Sequence, residues 1–331
     1  MAVTADLLRT LSVAKPADAW RAIRDYAYST CTAALPAQNA ASEIVRRDRE
    51  LAALDLFLAT AGWDLWSEYE ASMPLGADCL ADWWARQPGG KAALILDGLS
   101  LREVPWLLLG ASARGFIVHQ ATAMGAEIPP DTTPFANALG LPQRSALGNN
   151  QAPGTFRLAG ATTDAVGLPW ADCNRLIGAE PDWVLWHHWP DRQVHELCGA
   201  GQGLELLAQD AVKNLTSEDF WALVARLATG RRLIITSDHG YAATGHFSDA
   251  GDEQGQALKE CFKSGRWASG GDAPSWWVPP VALALTTRHG TNSFVLGRRK
   301  WRSQGGYPTL AHGGLSVLEV LTPFIELSKG K

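Results

Sequence analysis

From Ala92 onward, apolar residues come in short unbroken runs, each stopped by an acid, a histidine or a glycine. Ala92-Ala93-Leu94-Ile95-Leu96 stops at Asp97-Gly98, Trp183-Val184-Leu185-Trp186 at His187-His188, and Leu233-Ile234-Ile235 at Ser237-Asp238-His239-Gly240. Runs of this length without polar alternation predict strands buried on both faces. Between them lie stretches of helical character, Leu101 to Ala113 and roughly residues 202 to 229. The alternation predicts an α/β fold, a mostly parallel central sheet flanked by helices. A strand near Phe116-Ile117-Val118, a hairpin from residues 281–286 and 293–296, and a terminal apolar run through Phe324 and Leu327 extend the pattern. Gly140 to Ala171, rich in small residues, predicts irregular surface loop.

Before residue 88 the periodicity is helical throughout. Trp20, Ile23 and Ala27 follow Pro16-Ala17-Asp18, while Ile44, Leu51, Leu54 and Leu58 follow Ser42. A third short helix around Leu80, Trp83 and Trp84 ends at Pro88-Gly89-Gly90. This predicts a helical N-terminal segment over 1–88 and an α/β domain over 89–331. Within the latter, the Gly, Asp and Ser residues of about 241–280 surround one short helix near Leu258 and predict an insertion lying over the site.

Composition narrows the function classes. The net charge of −5 carries no global nucleic-acid footprint. One local patch, Arg298-Arg299-Lys300-Trp301-Arg302, sets four cations around an aromatic; a base could stack there, although a solvated hairpin end is the default for such a run. The five cysteines are scattered without a Cys-x-x-Cys pair, which argues for a reducing compartment and against a thiolate zinc site. No apolar run approaches the ~20 residues that span a bilayer, and the first residues lack the apolar core of a secretory leader. A cytoplasmic location without membrane partners is the expectation.

Candidate chemistry collects at the ends of the runs, where open α/β sheets bind ligands. Asp97 ends the first, Asp238 and His239 end another, and Asp191 and His195 lie four apart on one helical face after Pro190. His312 precedes Gly313-Gly314. Any one alone reads as a cap or a packed histidine; together they are three carboxylates and three imidazoles of the kind that bind zinc or manganese. His187 and His188 read more simply as packed or exposed side chains. The loop Ile128-Pro129-Pro130-Asp131-Thr132-Thr133-Pro134 adds hydroxyls at a helix start.

The order Asp, Thr, Asp-x-x-x-His, Asp-His-Gly, His resembles the two-metal site of the alkaline phosphatase superfamily. Locally the chain resembles the PglZ family over about residues 90 to 327: Leu96-Asp97-Gly98-Leu99 with Arg102-Glu103, Pro130 to Ala138 as nucleophile loop, Thr236 to Gly240, and His312 to Ser316 with Glu319 and Pro323. The resemblance implies one metal on Asp191, His195 and His312 and another on Asp97, Asp238 and His239. It implies Thr133 as nucleophile, the second threonine of the family's Pro-Thr-x-Thr loop, with Thr132 and then Ser100 as alternatives; the first threonine of that pattern is replaced here by Asp131. It further implies a metal-dependent phosphodiesterase with two divalent ions, zinc first and manganese second. Its substrate would be a nucleotide or oligonucleotide, and its setting bacterial phage defence of the BREX type with protein partners from that system. The alternatives are a phosphomonoesterase and a metal-stabilised scaffold without turnover.

Overall fold

The computed structural model describes residues 3–35, 39–199, 202–246, 250–274, 276–303 and 306–330. Residues 247–249 and 275 of the expected insertion lie outside these. The helices are α1 (Ala5–Val13), α2 (Pro16–Thr32), α3 (Ala40–Thr60), α4 (Tyr69–Ser72), α5 (Gly76–Arg86), α6 (Val104–Ala113), α7 (Thr132–Ala138), α8 (Trp170–Leu176), α9 (Asp191–Glu196), α10 (Leu204–Leu215), α11 (Glu218–Leu227), α12 (Asp252–Phe262) and α13 (Val317–Val320). The strands are β1 (Gly90–Leu96), β2 (Phe116–Gly125), β3 (Thr162–Val166), β4 (Asp182–His187), β5 (Arg231–Thr236), β6 (Ala242–Ala243), β7 (Trp267–Ser269), β8 (Ala282–Thr287), β9 (Gly290–Val295), β10 (Leu310–Ala311) and β11 (Leu321–Lys329).

The central sheet runs in the order β2-β11-β5-β1-β4-β3. β1 is parallel to β4 and β5, β3 is parallel to β4, and β11 alone runs antiparallel, between β2 and β5. Alternate side chains of each strand enter different cores, as the two-residue period of a strand requires. Leu94 and Leu96 join Trp20, Leu51, Leu58 and Leu223 on one face, whereas Ala93 and Ile95 join Leu80, Trp84, Phe135 and Leu139 on the other. Truncating a buried side chain such as Leu94 to Ala costs roughly 2–5 kcal/mol in a core of this kind. α1, α2 and α3 share the first core and α5 the second, so the helical segment contributes to both faces of the sheet.

Several local expectations change. The stretch 202–229 divides into α10 and α11, because the Ser217 side chain accepts a hydrogen bond from Phe220 N and caps a new helix. Gly140 to Ala171 is not all loop: β3 forms the sheet edge, and its Thr-Thr-Asp-Ala-Val sequence lacks the apolar run that marks the inner strands. The hairpin forms as β8 and β9, joined by β7 into a second sheet of order β7-β9-β8.

The polyanion patch is corrected most sharply. Arg298 is fully buried, with Nε 2.6 Å from Asp55 and Nη1 2.7 Å from Asp48, both on α3. Asp48 also takes Arg102 at 2.5 Å, and Asp55 accepts Val317 N at 2.6 Å. Trp301 packs on Leu258 and Phe262 and donates to Lys263 O. Two of the five patch residues are therefore structural, because buried acids from a distant helix needed cations and a small apolar core needed an indole.

Candidate metal centre

The carboxyl edge of the sheet brings the expected residues together. β1 and β5 are adjacent, so Asp97 and the pair Asp238-His239 leave neighbouring strand ends. α9 starts against the same edge, because Asp191 N donates to Asp97 O at 2.8 Å. Antiparallel pairing of β10 with β6, Ala311 opposite Ala242, carries His312 to the loop that follows His239. Gly240 permits this turn, since a Cβ there would lie 2.1 Å from Leu318 O.

Within the cluster, Asp97, Asp238 and His239 offer donor atoms all within 4.8 Å of one another, and so do Asp191, His195 and His312. A third such group, Asp131 with His239 and His312, joins the two. His239 Nε2 lies 3.4 Å from Asp97 Oδ1 and 3.5 Å from Asp238 Oδ2. In the other group His195 Nε2 and His312 Nε2 are each 3.4 Å from an Asp191 oxygen and 3.2 Å from each other. Donors held ~2.0–2.1 Å from a tetrahedrally bound ion lie roughly 3.3 Å apart, so these separations fit shared cations.

The polar accounting points the same way. Ser237 Oγ and Gly98 N hold one oxygen of Asp238, at 3.3 and 3.0 Å, while its Oδ2 is buried without a hydrogen bond. His239 Nδ1 meets Gly240 O at 2.9 Å, which turns Nε2 inward, also without a hydrogen bond. Asp191 Oδ1 and His312 Nδ1 lack hydrogen bonds as well, while Asp97 Oδ2 is met only by the Arg144 guanidinium. Buried polar atoms are rarely left so, and a group of them converging on one region is what a cation would satisfy. Four carboxylates, counting Asp131, carry charge that two divalent ions would neutralise. Arg144, from the helical turn Arg144–Asn150, forms an ion pair with Asp97 Oδ2 and adds one positive charge.

Protonation reflects this crowding. Burial alone would depress His239, but Asp238, Asp191 and Asp131 outweigh it and raise its pKa. Burial, reinforced by His239, lowers that of His312, whose ring stacks on His239 with centroids 4.3 Å apart. Asp191 is held well below the ordinary carboxylate range despite its burial, by its hydrogen bond to His195 and the neighbouring imidazoles.

Of the two threonines, Thr132 reaches the cluster: its Oγ1 donates to Asp97 Oδ1 at 3.3 Å. Thr133, the expected nucleophile, is exposed and one helical position on, about 100° round the axis. The helix decides this. Asp131 is the N-cap, its carboxylate accepting Thr132 N at 2.7 Å, so Thr132 takes the first helical position beside Asp97. Ser100 is occupied elsewhere, in a capping box with Glu103 and as acceptor for Arg102. His187 is satisfied by Leu168 O and Trp189 N and is kept neutral, its pKa lowered to about 4 by burial. Asp131 and Arg144 have no place in the expected set. The aspartate at the family's first threonine position was a visible signal for the former, whereas nothing marks an arginine within a loop.

No family model matches the chain, and no curated protein matches it. Among solved structures, murine ectonucleotide pyrophosphatase/phosphodiesterase 5 is similar at 11% identity, with 73% of this chain and 88% of that chain covered and a TM-score of 0.45. The inactive form of the same murine protein in complex with AMP is similar at 11% identity, covering 72% and 88%, with a TM-score of 0.46.

Proposed function

We propose that this chain is a metal-dependent phosphodiesterase acting on nucleotide or oligonucleotide linkages, of the PglZ kind and in a phage-defence setting. The observation that carries the reading is the placement of Thr132 Oγ1 against Asp97, one carboxylate of a cluster in which Asp191 Oδ1, Asp238 Oδ2 and His239 Nε2 are buried without hydrogen bonds. Asp97, Asp238 and His239 would hold one divalent ion and Asp191, His195 and His312 the other, with zinc favoured over manganese by the mixed oxygen and nitrogen donors. Bound there, such ions make a hydroxyl nucleophilic at neutral pH and clamp charge on the attacking and leaving oxygens.

The chain's own residues carry the remaining steps. Asp97 Oδ1 orients the Thr132 hydroxyl and is the nearest acceptor for its proton. Thr132 Oγ1 attacks phosphorus, the bond to the departing alkoxide breaks, and a phosphothreonine remains. The Arg144 guanidinium, beside Asp97, would meet charge developing on the phosphoryl oxygens. Water then displaces Thr132 from phosphorus, entering on the side where His195 is exposed.

Hydrolysis of bis(4-nitrophenyl) phosphate and of 4-nitrophenyl phosphate by protein stripped of metal and refilled with zinc or manganese tests the proposal. Metal-dependent diester turnover that disappears in Thr132→Ala is the expected result. Two bound ions without turnover of either ester would leave a metal-stabilised scaffold instead.

A further inference from the structure

Arg266 and Trp267, consecutive residues of the insertion, are tied to two different parts of the metal centre. Arg266 is buried and pairs with Glu319 of α13 through Nε at 2.7 Å and Nη2 at 3.0 Å. Glu319 also accepts Gly314 N at 2.8 Å and the Ser316 hydroxyl at 2.6 Å, so one carboxylate holds both the insertion and the loop that follows His312. Gly313 and Gly314 allow this packing. A Cβ on Gly313 would lie 2.7 Å from Trp267 Cδ1, and one on Gly314 would lie 2.7 Å from Arg266 Nη2. Val295 N donates to Arg266 O at 2.9 Å, so the backbone here is fixed as well. From this anchored position Trp267 Nε1 donates to Asp131 Oδ2 at 2.9 Å.

Asp131 is thereby held at both oxygens, since its Oδ1 accepts Thr132 N as the N-cap of α7. The restraint matters because the Thr132 hydroxyl meets Asp97 at 3.3 Å, long for an O–H···O bond, so the contact depends on where the cap sets the helix. Asp131 also has a competing destination. Its donor atom lies within 4.8 Å of those of His239 and His312, two of the imidazoles assigned to the ions. A carboxylate there is a ready metal ligand, and an aspartate drawn onto a cation would leave the cap. The indole N–H, which can only donate, opposes this by occupying the oxygen that faces it.

We propose that Trp267 is a positioning residue for the reaction: its N–H keeps Asp131 on the cap of α7 and off the metal ions, and so keeps the Thr132 hydroxyl against Asp97. The catalytic part rests on the phosphodiesterase reading above. The insertion is then part of the framework of the site. Through Arg266 and Glu319 it refers the nucleophile to the same anchor that holds the loop of His312.

The test reads zinc affinity, by competition with a chromogenic chelator, and diester kinetics on the same variants. Trp267→Phe keeps an aromatic ring and removes the N–H. With Asp131 released, zinc affinity should rise about tenfold while kcat falls roughly 10–100-fold at little-changed KM. A merely structural loss would weaken zinc binding along with turnover; that result overturns the proposal, as does a kcat within about twofold of the unmodified protein's. Asp131→Asn has one oxygen for two donors and is a neutral, poor ligand, so kcat should fall with no gain in zinc affinity. Both changes break the same hydrogen bond. Combining them should therefore cost no more in kcat than the worse single change and should abolish the gain in zinc affinity, whereas losses that multiply overturn the proposal. If the unmodified protein hydrolyses no diester, the catalytic reading falls and the zinc titration alone decides. A gain in Trp267→Phe that Asp131→Asn abolishes then keeps Trp267 as the restraint on Asp131, and unchanged affinity overturns it.

Discussion

Two buried charge clusters sit in this molecule, and they are built differently. In the first, Asp48, Asp55, Arg102 and Arg298 meet between α3 and the loops behind the sheet, and each charge has a partner of opposite sign within 2.7 Å. In the second, Asp97, Asp191, Asp238 and Asp131 crowd three imidazoles at the sheet's carboxyl edge, with several donor atoms unmet. Burial is not what separates them, since Asp48 and Asp238 are equally enclosed. The difference is whether the chain supplies the countercharge. A cluster that balances itself holds the fold together, whereas one short of positive charge is arranged to receive it.

The largest effect that would sharpen this contrast is catalytic. Thr132→Ala should lower kcat on a phosphodiester by about 10³-fold or more, and Thr133→Ala by less than about threefold. Equal losses in steady-state assays would place the nucleophile wrongly. Next come charge removals from the two clusters in metal-free protein. Asp48→Ala should cost roughly 3–5 kcal/mol in urea unfolding, because it strands Arg102 and leaves Arg298 with Asp55 alone. Asp238→Asn keeps an acceptor for Gly98 N while relieving repulsion, so its metal-free stability should match or exceed that of the unmodified protein. The same variant should bind fewer ions by metal analysis, and full occupancy would break the assignment.

A smaller effect distinguishes the clusters by pH. Glu103, beside the balanced network and bonded to Tyr241 OH at 2.6 Å, has its pKa pushed up to about 7 by burial. The folded state thus keeps a proton that the unfolded chain releases near pH 4.5, and stability falls as pH rises between these values. The shift corresponds to roughly 3 kcal/mol. The stability of Glu103→Gln relative to the unmodified protein should therefore climb from pH 4.5 to 7 and level off above; a constant difference across that range would remove Glu103 as the cause.

Much of this was legible in the residue order, for identifiable reasons. Unbroken apolar runs ending on Asp97 and on Asp238-His239 specify buried strands whose ends share an edge, and neighbouring strands bring those ends together. The edge strand β3 was not legible, because an edge needs no apolar run. Nor was the antiparallel direction of β11, which periodicity does not encode. That Thr132, and not Thr133, lies beside Asp97 follows from the Asp131 cap, which starts the helix at Thr132 and is not visible in the motif. The burial of Arg298 was not legible either, because its partners Asp48 and Asp55 are distant in the sequence.

β11 has a consequence for how the molecule comes into being. β2 pairs with nothing in the central sheet except β11, and β5 has its outer edge covered by the same strand. During synthesis both wait until residues 321–329 arrive, and His312, the last of the metal-suited residues, precedes them by only nine positions. The centre and the sheet that carries it are therefore completed almost together. Asp97, Asp238 and His239 stand in the chain well before this point, at the ends of strands that pair without β11, so what the last segment completes is the second donor set and the outer edge of the sheet.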